Sequence, residues 1–381
     1  MGVLDWLRWA NLGDSNPFEA LEAGSDPELS RYLVRHDVFD LLWQDQPTIV
    51  YAPAGGGKSA FRVRLSWACR VGEDGRQVFA IPYIAPEPDA TTLEEHLEPI
   101  LSNAARELLL MVVYRPERLL DIGPEGRQSV RRVLDQNDPG LVARFLTQLR
   151  RAGELTPLVE GHDASAARLT DPPEPDAIEA VCDALDELPE SRDVPPAGER
   201  FESLLKVLGG VLGFTSVYLL LDGIDAWVET RHDAQRAMAV LTPLLRQSEA
   251  WAARSVYLKL FLPQELRKPL SRELTKDVKS AIIRWDSSSC AEVLHRRLLA
   301  ASGGRIGRLN APSLSTPGLV EVEEELLRAI PPSPTPRELL VLVNRVIEEH
   351  VRAGSQESRL EPQDVQAAIR WYRRQPRRFS P

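Results

Sequence analysis

The chain has 381 residues, of which 43% are hydrophobic and 27% charged, so fibrous and wholly disordered proteins are excluded and two or three domains are expected. A formal net charge of −10 argues against a protein whose whole surface binds nucleic acid. The three cysteines lie far apart and no apolar run is long enough to span a membrane, so we expect a cytoplasmic protein without a disulfide framework.

Apolar residues alternate between strand and helix patterns up to residue 286 and follow a purely helical pattern after it. Runs of β-branched and aromatic residues predict five strands: 46–51, 77–84, 216–222, 255–262 and 280–285. Apolar residues at helical spacing predict the helices: 1–12, 29–42, 60–69, 92–111, 125–135, 139–151, 176–188, 201–212, 234–250, 288–301, 317–330, 336–353 and 362–374. This order indicates an α/β core with a mainly parallel sheet, followed by a small all-α domain.

These patterns divide the chain into three parts. Residues 1–46 form an N-terminal helical segment, 47–286 the α/β core, and 287–381 a C-terminal helical domain with a basic tail. Within the core, the acidic stretch of about 85–200 is predicted to be a helical and linker insertion. Its second half, 152–200, contains proline clusters that favour loops around one short helix, and a solvated surface insertion is a better interpretation of it than a catalytic element.

A glycine loop joins the first strand to the helix after it. Its sequence is Ala52-Pro53-Ala54-Gly55-Gly56-Gly57-Lys58-Ser59. A strand, a glycine-rich turn, Lys-Ser and a helix are the parts of a P-loop, in which backbone N–H groups and the helix N-terminus surround phosphate oxygens. Lys58 would reach the β- and γ-phosphates, and the Ser59 hydroxyl would bind Mg²⁺. The sequence departs from the motif at Ala52, where the first glycine is usual.

A second acidic strand end accompanies this loop. The apolar run 216–222 ends in Asp222, and Gly223-Ile224-Asp225 follows it. A carboxylate at the carboxyl end of a buried strand is where the Mg²⁺ shell of a P-loop site lies. Alone, Asp222 would be interpreted as a turn or helix-cap aspartate; together with the glycine loop it is predicted to be a metal ligand.

The order of these parts resembles the AAA+ and STAND-type P-loop ATPases of bacteria. Asp222-Gly223-Ile224-Asp225 is more similar to the STAND pattern than to the Asp–Glu pair of most AAA+ motors. In the C-terminal domain, Pro334-Thr335-Pro336-Arg337-Glu338-Leu339-Leu340 resembles the Pro-Arg sensor-2 helix of the origin-binding and transposition-regulator branches of AAA+. The resemblance covers about residues 15–370, and the two Walker motifs are its specific part.

The resemblance implies ATP and Mg²⁺ as ligands. Residues that would hold the triphosphate are Ala54 (through its backbone), Gly55, Gly56, Gly57, Lys58, Ser59 and Ala60. Mg²⁺ would be bound by Ser59 and Asp222. The second acid, Asp225, would orient the attacking water, and Arg337 would touch the γ-phosphate from a helical lid. The alternative for Arg337 is an ordinary arginine beside a helix N-terminus.

Further family features match less well. The segment before the first strand, Tyr32–Val34, is the candidate for contacts to the adenine. Glycine stands after Asp222, where AAA+ motors have their catalytic glutamate, and the sensor-1 position falls on Gln264. Candidates for an arginine finger are Arg267, Arg272 and Arg284, none of which stands out. Without such groups hydrolysis is expected to be slow, because a missing stabiliser costs about 10³–10⁵ in rate.

The resulting interpretation is an ATP-binding switch in a bacterial multi-protein complex of the defence or signalling type. Its sensor and effector would lie on partner proteins, and ATP would promote homo-oligomers. One alternative is a degenerate P-loop scaffold without turnover. Another is a DNA-associated AAA+ regulator of replication or transposition, favoured by the sensor-2 helix and opposed by the acidic net charge.

Two further groups of residues admit alternative roles. Trp6 and Trp9 on the first helix would either pack against the protein body, the favoured reading, or form a docking peptide. A basic patch at the C-terminus surrounds Trp371 and Tyr372 and comprises Arg370, Arg373, Arg374, Arg377 and Arg378. This patch could touch nucleic acid, but a solvated helix end is the favoured reading of it.

Overall fold

The computed structural model describes residues 2–375 with several gaps: Ser25, Pro27, 153–173, Arg192, 271–273, 312–313, 315–320, Pro332 and 355–358. Arg272, Arg377, Arg378 and much of the predicted linker therefore lie outside the described residues. The strands are β1 (Thr48–Ala52), β2 (Val78–Ile84), β3 (Ser216–Asp222), β4 (Val256–Pro263) and β5 (Lys279–Ile282).

The described helices that precede β3 are α1 (Val3–Trp9), α2 (Leu29–Tyr32), α3 (Val38–Leu42), α4 (Lys58–Val71), α5 (Leu93–Tyr114), α6 (Glu117–Leu120), α7 (Pro124–Asn137), α8 (Leu141–Ala152), α9 (Pro175–Asp186) and α10 (Ala197–Lys206). Those that follow β3 are α11 (Val228–His232), α12 (Ala234–Ala252), α13 (Ser287–Ala301), α14 (Val322–Ala329), α15 (Pro336–Arg352) and α16 (Pro362–Arg374). Among these helices, none has the length and apolar character that crossing a bilayer requires.

The five strands form one parallel sheet in the order β2-β3-β4-β1-β5, which confirms the predicted α/β class. Every residue of β1 and β3 is buried, as expected for parallel strands that are covered on both faces. After β1 the chain continues to β2, at one edge of the sheet, and after β4 it continues to β5, at the other edge. The carboxyl ends of the neighbours β1 and β4 therefore mark the switch point at which open α/β sheets bind ligands.

Three predicted elements differ from the structure. The predicted helix 29–42 is two short helices, because Leu33 is extended and its carbonyl accepts a bond from Arg296 rather than from a helical N–H. The last strand ends at Ile282 instead of residue 285. The helix α5 packs on β2 and is part of the core, so the segment that is additional to the α/β core begins after Tyr114.

The chain separates into two compact units. The sheet unit consists of Val38–Tyr51 and Phe61–Ala281. The helical unit consists of Met1–Asp37, Ala52–Ala60 and Ile282–Pro381. It therefore contains residues from all three of the predicted parts, whose boundaries were placed at 46/47 and 286/287. The reason is apolar burial, because the side chains of α1 lie in the core that the C-terminal helices form.

Trp6 is one of these core residues. Its side chain is fully buried and meets the ring of the equally buried His350 edge-on, with 5.9 Å between ring centroids. This is the core packing that the sequence favoured, and it rules out a role for Trp6 in an exposed docking peptide. Trp9, on the opposite side of α1, is 50% exposed.

The sheet unit contains a fully buried lysine. Lys259 on β4 donates from Nζ to the carbonyls of Gln44 and Gln46, at 2.6 and 2.8 Å, and lies over the ring of Tyr218. Burial in this apolar surrounding disfavours the charged form and lowers the pKa of Lys259 to about 7. A lysine of the unfolded chain has a pKa of about 10.4. Between these two values the unfolded chain carries a proton that the folded chain has lost.

Lys259 is therefore expected to make the free energy of unfolding rise with pH between about 7 and 10, by at most about 1.4 kcal/mol per pH unit. Below pH 6 the residue adds no slope, because it is protonated in both states. The measurement is urea unfolding at a series of pH values, comparing the natural chain with Lys259→Met, since subtraction removes the contributions of all other groups. Equal slopes for the two proteins would contradict the prediction.

Candidate phosphate-binding site

The glycine loop (residues 52–59) makes a tight turn between β1 and α4. Gly56 N donates to the carbonyl of Pro53 at 3.0 Å, and Gly55 and Gly57 have positive φ angles of 72° and 90°. The helix α4 begins at Lys58, so Ser59 and Ala60 lie in its first turn. The strand, turn and helix that phosphate binding requires are thus present in the predicted order, and backbone N–H groups at a helix N-terminus are directed along the helix axis.

Lys58 is folded back over this loop. Its residue is only 8% exposed, and Nζ donates to the carbonyl of Ala52 at 3.4 Å, which is long for a hydrogen bond. The ammonium is therefore held beside the turn whose N–H groups would face a phosphate. A lysine ammonium and a helix N-terminus both carry positive charge, and this turn has the two side by side.

Arg337 lies directly against the glycine loop. It is in the first turn of α15, which Thr335 and Glu338 cap reciprocally. A Cβ atom placed on Gly55 would be 2.5 Å from the Cβ of Arg337 and 3.0 Å from its Cδ. Glycine is therefore required at position 55 for two reasons: the positive φ and the close approach of the stem of Arg337. The structure brings this predicted site residue and the glycine loop together within one unit.

Gly55 can be tested through the stability of the chain. We expect Gly55→Ala to lower the free energy of unfolding by about 2–5 kcal/mol, the sum of a left-handed alanine and an overpacked contact. The matched control is Gly304→Ala, because Gly304 has a φ of 84° and no atom within 4 Å of its added Cβ. The control is expected to cost only about 1–2 kcal/mol. Equal losses in urea unfolding would mean that Arg337 does not confine Gly55.

Two residues that the sequence analysis did not assign to the site also contact this region. Glu22 accepts a hydrogen bond from Nη2 of Arg337 at 2.6 Å, while Nε of Arg337 is buried without a partner. Trp285, predicted to end the fifth strand, instead donates from Nε1 to the carbonyl of Gly56 at 2.9 Å and packs beside His36. Nothing in the local sequence marks either Glu22 or Trp285 as a residue of this site.

The segment Tyr32–Val34, the predicted adenine contact, is buried or half-buried. The ring of Tyr32 is buried and lies under the guanidinium of Arg297, 4.3 Å from its centroid. Burial raises the pKa of Asp26, to which the Tyr32 hydroxyl donates. Val34 lines a cavity of about 640 Å³ together with residues of α13 and α14. A contact of this segment with adenine remains a prediction.

Asp222 is at the carboxyl end of β3, in the sheet unit. One oxygen accepts from Nε of Arg62 at 3.0 Å, and the other accepts from Gly223 N at 2.8 Å. The side chains of Arg62 and Asp222 are 3% and 4% exposed, so this is a buried ion pair. Arg62 lies one helical turn after Lys58 on α4 and was not predicted. Asp225 is half-buried, and its carbonyl accepts from Arg231.

The backbone conformation at position 223 explains why glycine and not glutamate follows Asp222. Its φ is 73°, and an added Cβ would lie 3.1 Å from the backbone nitrogen of Ala85. That nitrogen in turn donates to the carbonyl of Asp222 at 2.8 Å, so the close approach joins the ends of β2 and β3. A larger residue at position 223 would strain its own backbone and separate this contact.

The remaining candidates are the sensor-1 residue, the arginine-finger residues and the C-terminal basic patch. Gln264, Arg267 and Arg284 are exposed. In the basic patch, Arg370, Arg373 and Arg374 are exposed. Its two aromatic residues contact their own unit: Arg345 lies over the ring of Trp371, and Tyr372 donates to Glu338 at 3.0 Å.

The comparisons with known proteins add no assignment to this geometry. No family model, no curated protein and no solved structure gives a significant match to the chain.

Proposed function

We propose that the chain binds ATP–Mg²⁺ as a P-loop ATPase of the AAA+/STAND type and acts as a slowly hydrolysing switch. The observation that carries this proposal is the packing of Arg337 on Gly55, which places a guanidinium beside a glycine loop that already has a lysine and a helix N-terminus. Three sources of positive charge around one turn are suited to a polyanion such as a triphosphate.

The strand order also supports the proposal. The strand β4 lies between β1, which leads into the glycine loop, and β3, which ends in Asp222. All strands are parallel, so the carboxyl ends of β1 and β3 are at the same edge of the sheet.

The proposed roles follow from residue chemistry. Backbone N–H groups of the glycine loop and Lys58 would bind the β- and γ-phosphates, and Ser59 and Asp222 would bind Mg²⁺, which neutralises charge on the phosphates. Arg337 would contact the γ-phosphate, and the C-terminal helices that carry it would act as a lid. Asp225 would orient water in place of the missing glutamate.

The proposed switch requires ATP to bind more tightly than ADP, since only a difference in affinity shifts a conformational equilibrium. The test is calorimetric titration of the purified chain with ATP–Mg²⁺ and with ADP–Mg²⁺, combined with steady-state phosphate release and size-exclusion chromatography. We expect binding of both, a preference for ATP, turnover well below one per second and a larger particle with ATP. Absence of any binding would reject the proposal and leave the scaffold interpretation.

Protein partners form part of this proposal. Ile84, Trp227 and Val228 are large apolar residues that are 37–66% exposed and follow or end β2 and β3. Trp227 donates to the carbonyl of Ala85, which puts its indole beside the end of β2. An exposed apolar group of this kind suits a contact with another protein or a second copy of the chain.

A further inference from the structure

Glu22 and Arg337 are 315 residues apart in sequence and form an ion pair beside the glycine loop. The loop, Glu22 and Arg337 all belong to the helical unit. The contact is made by one guanidinium nitrogen at 2.6 Å, and the side chains of Arg337 and Glu22 are 29% and 70% exposed. Gly55 confines the stem of Arg337, while the charged end of Arg337 is bound to a solvent-exposed carboxylate.

A carboxylate and a phosphate group bind to a guanidinium in similar ways. Both present two or more oxygens to the planar fork of a guanidinium and accept charge-assisted hydrogen bonds from it. A single N–H of Arg337 cannot form a full hydrogen bond to Glu22 and to a phosphate oxygen at the same time. Any phosphate that takes this N–H has to displace Glu22.

We propose that Glu22 is a specificity-determining residue that competes with the γ-phosphate for Arg337. This inference rests on the proposed ATP binding at the glycine loop. A γ-phosphate that takes Nη2 of Arg337 displaces the carboxylate, while ADP leaves the Glu22–Arg337 pair intact. Glu22 therefore lowers the affinity for ATP alone, and sets how strongly the chain distinguishes ATP from ADP.

The size of the effect follows from the exposure of the pair. Exposed ion pairs contribute little to stability, so Glu22 can be displaced readily and lowers ATP affinity by a factor of about 2–5. The factor is expected to shrink when the salt concentration is raised, because salt screens exposed charges.

The experiment is a double-mutant cycle read by calorimetric titration at low ionic strength. Glu22→Gln keeps the size of the side chain and removes its charge, and we expect it to bind ATP–Mg²⁺ about 2–5-fold more tightly with unchanged affinity for ADP–Mg²⁺. In the Arg337→Ala background the same substitution is expected to change neither affinity. The matched control is Glu19→Gln, which removes one negative charge from an exposed residue of the same segment.

Each other outcome overturns the inference. Equal gains for ATP and ADP, or the same gain from Glu19→Gln, would assign the effect to net charge. A gain that survives in the Arg337→Ala background would show that Glu22 does not act through Arg337. If the natural chain binds both nucleotides and Glu22→Gln binds them identically, this inference fails and the proposed function stands; if the natural chain binds neither, both fail.

Discussion

Lys58→Ala is expected to abolish measurable binding of ATP–Mg²⁺. A lysine that donates to the β- and γ-phosphates makes two charge-assisted hydrogen bonds, each contributing about 1.5–3 kcal/mol. Losing both weakens binding by about 10²–10⁴-fold. The buried ammonium of Lys58 lies beside the turn of the glycine loop, 3.4 Å from the carbonyl of Ala52.

Two further variants separate charge from packing. Lys58→Met keeps the buried stem of the side chain and removes only the charge, and the same loss of binding is expected. Lys206→Met removes a lysine that is exposed at the end of α10 and is expected to bind ATP normally. Binding is measured by titration with a fluorescent ATP analogue, and urea unfolding checks that each variant is folded. Unchanged affinity in folded Lys58→Met would reject the glycine loop as the phosphate site.

The strands and the glycine loop could be predicted because their signals are local. A parallel strand buried on both faces is a short apolar run, and β3 was predicted with the bounds that the structure has, Ser216–Asp222. The glycine loop needs small residues in a fixed order next to a strand, and these are consecutive in the chain. Prediction failed where a distant residue decided the outcome, as when Arg296 binds the carbonyl of Leu33 and interrupts a helix.

The contacts around the site were not predictable for the same reason. Glu22 is one of 56 acidic residues, and nothing near it in sequence distinguishes it from the others. Trp285 carried a β-strand signal, but its indole N–H bonds Gly56 outside the sheet. Arg62 did have a signal, since a residue four positions after Lys58 lies on the same side of α4. Its pairing with Asp222 still depends on how α4 packs, which the sequence pattern does not contain.

Arg62→Met is expected to destabilise the chain by about 3–5 kcal/mol. The variant leaves the carboxylate of Asp222 buried without the counter-charge that lies 3.0 Å away in the natural chain, and an uncompensated buried charge has this cost. Adding Asp222→Asn is expected to restore most of the loss, because the neutral amide oxygen can still accept from Gly223 N and no charge stays unpaired. Urea unfolding of the natural chain, both single variants and the double variant measures the pair directly.

The same variants test whether Asp222 meets Mg²⁺. If the metal of ATP–Mg²⁺ lies beside Asp222, it supplies the positive charge that Arg62→Met lacks, and ligand binding stabilises the folded state by mass action. We therefore expect saturating ATP–Mg²⁺ to raise the free energy of unfolding more in Arg62→Met than in the natural chain. In the double variant, which has no carboxylate at position 222, this extra gain is expected to vanish. An equal gain in all variants would leave the buried pair in place but remove Asp222 from the metal site.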